Sequence, residues 1–149
     1  GGDQEQKKRA GTENLAAILG MVAALKEDLE HQADHYQKLE GLKSAFLDEI
    51  AELDFYLNEG QDQLPYVFNI GFPGQKNDLL LLRLDLEGIS ISTGSACTAG
   101  IVQTSHVLEA FYGADSPRLK ESVRISLSPL NTEKELKQLA QTLKNIIGD

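Results

Sequence analysis

Residues 122–136, SVRISLSPLNTEKEL, set two hydrophobic periods side by side. From Ser122 to Leu127 apolar and polar residues alternate, so Val123, Ile125 and Leu127 share one face of a predicted strand. Ser122, Arg124 and Ser126 take the other face. A helical period then takes over at Asn131. Thr132 and Glu135 have the spacing of a capping box, and Leu136, Leu139, Leu143 and Ile146 or Ile147 form one stripe. A strand with one apolar face beside a helix with one apolar stripe predicts a small sheet covered by helices, an α/β or α+β layered domain.

Working upstream, Thr104 or Ser105 caps a short helix ending near Tyr112-Gly113, and Ile89–Ile91 is a strand candidate. Asn77 or Asp78 caps a helix through Leu86, with Gly88 in the C′ position. That helix is apolar almost all round, which predicts extensive burial. YVFNIGF (66–72) reads as a strand ended by Pro73-Gly74, and Phe55–Leu57 as a shorter one. Gly11-Thr12 opens a long helical pattern with a stripe at Leu15, Ile18, Leu19, Val22, Leu25 and Leu29. The stripe resumes at Tyr36, Leu39, Leu42, Phe46, Ile50 and Leu53 without an intervening proline. One very long helix or two in sequence are predicted, with His31–His35 as the place for a kink. Those two histidines lack a third ligand and read as a solvated pair rather than a metal site. Residues 1–11 are an expected arm or loop, and 12–149 the domain.

The segment SISTGSACTAG (90–100) holds Cys97, the chain's one cysteine, among residues too small to bury a thiol alone. Glycines and hydroxyls predict a mobile, solvated loop of the kind that carries chemistry. A lone cysteine is also often a small buried hydrophobe, and composition leaves these two readings open.

Bulk properties exclude several classes. No apolar run approaches the ~20 residues needed to cross a bilayer. The polar start, GGDQEQKKRAG, lacks a signal-peptide pattern. One cysteine permits no internal disulfide, so a cytoplasmic setting is expected. The net charge of −9, from 23 acidic and 14 basic residues, argues against nucleic acid.

Three motifs resemble one family. GGDQEQKKRAGTEN (1–14) is similar to the Gly-Gly-Gly-(His/Gln)-Glu…Arg-Ser-Gly-Thr-x-Asn segment of the NifS- and IscS-like cysteine desulfurases. STGSACTAG (92–100) resembles their Ser-Ser-Gly-Ser-Ala-Cys-Thr loop, and SVRISLSPLNTEKEL their Ile-Arg-(Ile/Phe)-Ser-Leu strand and following helix start. Asp3, Gln6 and Ala10 depart from the usual glycine, arginine and serine, and Ala99-Gly100-Ile101 from a common Ser-Ala-Ser. The family is class V aminotransferase-like, of the type I fold, and uses pyridoxal phosphate. The resemblance implies the small C-terminal domain of such an enzyme. The lysine that holds the cofactor would lie upstream, because no lysine here follows a Ser-x-His motif.

By this resemblance Cys97 is the nucleophile that takes sulfur from cysteine as a persulfide and releases alanine. Arg124 binds the substrate carboxylate, for which a planar guanidinium supplies two parallel bonds. Thr12 binds the cofactor phosphate from a neighbouring subunit, beside a helix start that favours anions. Arg9 is a candidate contact of the arm near that phosphate. His106 reads as a solvated or capping residue. The implied partners are a second subunit of a homodimer and a sulfur-acceptor or iron–sulfur scaffold protein, with no nucleic acid, membrane or metal. A selenocysteine or cystine lyase of the same family and a stand-alone persulfide carrier or interaction module are the alternative functions.

Overall fold

The computed structural model describes residues 5–8, 10–60, 63–94 and 104–148, which fall into two compact units, Gly1–His35 and Tyr36–Asp149.

In the first unit a single 3-10 turn at Glu5–Lys7 precedes helix α1 (Leu15–Glu49). The helix starts later than the Gly11-Thr12 expected from sequence. Asn14 is the cap, its Oδ1 accepting from the Ala17 N–H at 3.1 Å. The expected kink is absent: α1 is one helix through His31–His35, with no proline to interrupt it. The two imidazoles stand 6.0 Å apart between ring centroids. The stripe Leu15, Ile18, Leu19, Val22, Leu25 and Leu29 is exposed.

In the second unit the remainder of α1 contributes Leu39, Leu42 and Phe46 to the core, joined by Ile50. Three antiparallel strands follow the order β1 (Tyr56–Leu57), β2 (Val67–Gly71), β3 (Ser122–Ser126). The register sets Phe68 opposite Ile125, Asn69 opposite Arg124 and Ile70 opposite Val123. Period-2 alternation therefore gives the sheet one apolar and one polar face. The apolar face packs on α1, on α2 (Asn77–Leu86) and on α5 (Glu133–Gly148) through Phe46, Leu80, Leu84, Leu136, Leu139 and Leu143. The Phe46 and Phe68 rings meet at 5.7 Å and 47°, a tilted aromatic pair. Two short helices, α3 (His106–Tyr112) and α4 (Arg118–Glu121), precede β3.

The predicted capping box forms at the start of α5. The Thr132 N–H donates to Glu135 Oε2 at 2.7 Å, and the Glu135 N–H to Thr132 Oγ1 at 3.3 Å. Ser105 caps α3, its Oγ accepting from the Leu108 N–H.

Three local expectations are corrected. Helix α2 buries one stripe, Leu80 and Leu84, while Leu79, Leu82 and Leu86 are exposed, because the second unit covers it on one side only. Neither Asn77 nor Asp78 caps it. Asn77 lies inside the helix, buried, and its Nδ2 donates to the carbonyls of Leu119 and Ser122. Ile89–Ile91 is not a strand: the Ile89 N–H is taken by the Leu84 carbonyl at the helix end, and the first bridge to the sheet comes at Ser92.

Candidate functional site

The polar face of the sheet carries the candidate site. Arg124 stands mid-way along β3, half-buried, on the face opposite Val123 and Ile125. Ser92 pairs with it outside the regular ladder. The Ser92 N–H donates to the Arg124 carbonyl at 3.1 Å, and the Arg124 N–H to the Ser92 carbonyl at 2.7 Å. The side chains repeat the pairing, with Arg124 Nε donating to Ser92 Oγ at 3.0 Å. That bond engages one edge of the guanidinium, and no bond joins its two Nη atoms to another group among the described residues. Among the described residues no carboxylate forms an ion pair with Arg124, so the commonest role of a strand arginine does not account for it.

A second polar group occupies the same face. The Arg118 guanidinium lies between the Tyr56 and Tyr112 rings, at 4.1 and 4.5 Å from their centroids. Its Nη1 donates to Asn58 Oδ1 at 2.6 Å. Asn58 Nδ2 donates to Asn69 Oδ1 at 2.7 Å and to Ser122 Oγ at 2.9 Å. The Tyr56 hydroxyl donates to Glu121 Oε2, and Glu121 Oε1 accepts from the Gly74 N–H. Burial pushes the Tyr56 phenol up, and the Glu121 charge adds to the shift. Gly71, directly across from Tyr56, leaves room for that ring: a Cβ there would lie 2.2 Å from Tyr56 Cζ.

Cys97 and Arg9 lie outside the described residues. The described residues on either side of the cysteine segment, Thr93, Gly94 and Thr104, line a cleft of about 370 Å³. Lys76 and Lys120 bring positive charge to its wall. Thr12, in the first unit, is exposed just ahead of α1 and follows Gly11, whose φ is +101°. His106 is the exposed first residue of α3. Sequence reasoning missed Ser92 as the partner of Arg124, and it missed Asn58 and Asn69. A signal existed for Asn69, a lone polar residue in the apolar run YVFNIGF. Asn58 sits in a loop and carried none.

Residues 2–139 match the family described as Aminotransferase class-V. The chain is 41 % identical over 150 residues to the putative cysteine desulfurase IscS 1 of Bacillus subtilis (strain 168), covering 99 % of this chain and 40 % of that protein. It is 34 % identical over 153 residues to the cysteine desulfurase NifS of Azotobacter vinelandii, covering 99 % and 37 %. Among solved structures, a NifS-like protein from Rickettsia africae ESF-5 superposes with a TM-score of 0.82 at 27 % identity, over 100 % of this chain and 39 % of that one. The chain thus spans about 40 % of the length of these relatives.

Proposed function

Because the chain belongs to the class-V aminotransferase family, we propose that it is the C-terminal part of a pyridoxal-phosphate-dependent cysteine desulfurase. On this reading residues 12–149 are the C-terminal domain and residues 1–11 an arm from the cofactor domain. The observation that carries the reading is Arg124, held by Ser92 at its Nε edge while its Nη atoms face no carboxylate among the described residues. Such a guanidinium suits the carboxylate of an amino acid.

The described residues fit the phosphate of the cofactor at one point: an exposed threonine beside the N-terminal end of a long helix. Thr12 would hold that phosphate from a neighbouring subunit. When bound, pyridoxal phosphate is the electron sink that labilises the carbon–sulfur bond of the substrate. Arg124 binds and orients the cysteine carboxylate. The Cys97 thiolate attacks the substrate sulfur, an S–S bond forms as the carbon–sulfur bond breaks with its electron pair left on the carbon side, that carbon takes up a proton, and Cys97 is left as a persulfide while alanine departs. The persulfide sulfur then passes to an acceptor or scaffold protein for iron–sulfur cluster or thiolated-cofactor synthesis. The complete enzyme is a cytoplasmic homodimer on this reading. No described helix is long and apolar enough to cross a membrane.

The test uses the full-length, cofactor-loaded protein with L-cysteine. Alanine release is expected, together with a peptide containing Cys97 that has gained the mass of one sulfur atom. Cys97→Ser is expected to abolish both. Alanine release by Cys97→Ser at the normal rate, or added sulfur elsewhere, would overturn the proposal.

A further inference from the structure

We propose that Asn69 is a second donor of the carboxylate site, its amide turned outward by Arg118 acting through Asn58. The inference rests on the reading of Arg124 given above. It follows from which atoms can donate. A guanidinium has no acceptor, so the Asn58 atom 2.6 Å from Arg118 Nη1 is an oxygen. The stacking of Arg118 between Tyr56 and Tyr112 supports that geometry. The other end of the Asn58 amide is then NH2, and it donates to Asn69 and Ser122 at 2.7 and 2.9 Å. Facing a donor, Asn69 presents its Oδ1 and has its own NH2 on the opposite prong. Among the described residues no acceptor engages that NH2.

Asn69 is the direct cross-strand partner of Arg124, on the same face of the sheet. Cβ atoms of such pairs stand about 4.5–5.5 Å apart. The Asn69 NH2 and the Arg124 Nη atoms therefore offer N–H groups from neighbouring positions, which suits the two oxygens of one carboxylate. A reversed amide would set its carbonyl oxygen against the same anion. Arg118 and Asn58 are thus positioning residues, and Asn69 is the residue that touches substrate.

Asn69→Asp is the decisive variant, because it keeps the oxygen facing Asn58 and replaces only the outward NH2 with a second oxygen. The full-length, cofactor-loaded protein is titrated calorimetrically with L-alanine and with L-alaninamide, which lacks the carboxylate. L-alanine is expected to bind about 10- to 100-fold more weakly to the variant, with L-alaninamide bound as well as by the parent. Asn69→Ser, which removes the amide NH2 and leaves only a shorter hydroxyl without adding charge, should shift L-alanine in the same direction, and it stands in if Asn69→Asp does not fold. Equal binding of L-alanine to parent and variant overturns the inference, as does an equal loss for both ligands, which marks a structural role. Arg124→Ala separates the two readings. Loss of L-alanine there without loss in Asn69→Asp overturns this inference alone, whereas unchanged binding overturns the reading of Arg124 and this inference with it.

Discussion

Ser92 grips Arg124 twice, through a reciprocal pair of backbone hydrogen bonds at 3.1 and 2.7 Å and through a side-chain bond from Nε at 3.0 Å. The Ser92 hydroxyl also donates to the Arg124 carbonyl at 3.4 Å. This pairing decides which edge of the guanidinium is open to a ligand. It also ties the end of the segment leading toward Cys97 to the middle of the sheet.

Replacing Arg124 by lysine in the full-length enzyme should weaken cysteine binding without unfolding the protein. Loss of a bidentate carboxylate contact costs about 1.5–3 kcal/mol. Ser92→Ala removes only the Nε anchor, so a smaller loss of affinity is expected from it. Steady-state kinetics with L-cysteine checks both, and an unchanged apparent affinity in Arg124→Lys would show that the arginine has another role.

Gly71→Ala should be strongly destabilising. The added Cβ would meet Tyr56 Cζ at 2.2 Å and Cε2 at 2.3 Å, and overpacking of this kind costs about 1–3 kcal/mol. The displaced ring is one of the two that hold Arg118. Denaturant unfolding of Gly71→Ala, Tyr56→Val and the double variant checks this. The double variant should lose less than the two single losses added together.

The capping box at α5 should give the chain an acid-side stability slope. Hydrogen bonds from the Thr132 N–H and hydroxyl, and from Asn131, hold the Glu135 carboxyl below its ordinary range. Its proton therefore binds more weakly in the folded than in the unfolded chain. The stabilisation is present above the ordinary glutamate range and is lost as pH falls through the lowered folded value. Thr132→Ala should cost about 1 kcal/mol at neutral pH and reduce that slope in part, because the backbone N–H of residue 132 still reaches Glu135. Urea unfolding at neutral and acid pH measures both effects, and an unaltered slope would mean that the box does not couple to folding.

The 149-residue chain alone should fold but release no alanine from cysteine when pyridoxal phosphate is added, because no lysine in it has the context of the cofactor lysine. It should also self-associate. Leu15, Leu19, Leu25 and Leu29 are each more than half exposed along one helix, and exposed apolar patches of this kind drive association. Analytical ultracentrifugation over a concentration series reads the second effect. An absorbance shift that survives desalting, with catalytic alanine release, would refute the first.

Much of the architecture was legible in local sequence because it depends on local physics. Alternation in SVRISL, the Thr132–Glu135 spacing and Gly88 after Leu86 each concern groups a few residues apart, and β3, the capping box and the end of α2 follow from them. Arg124 was identified by the resemblance of its strand, and its position on the polar face followed from period two. Tertiary structure alone decided what surrounds it. Ser92, Asn58 and Asn69 are distant from Arg124 in sequence and meet it only because three antiparallel strands and one bridge bring them to a single face. The burial of α2 was misread for the same reason. A leucine-rich helix states how much apolar surface it has, but only the neighbours packed on it decide how much is hidden from water.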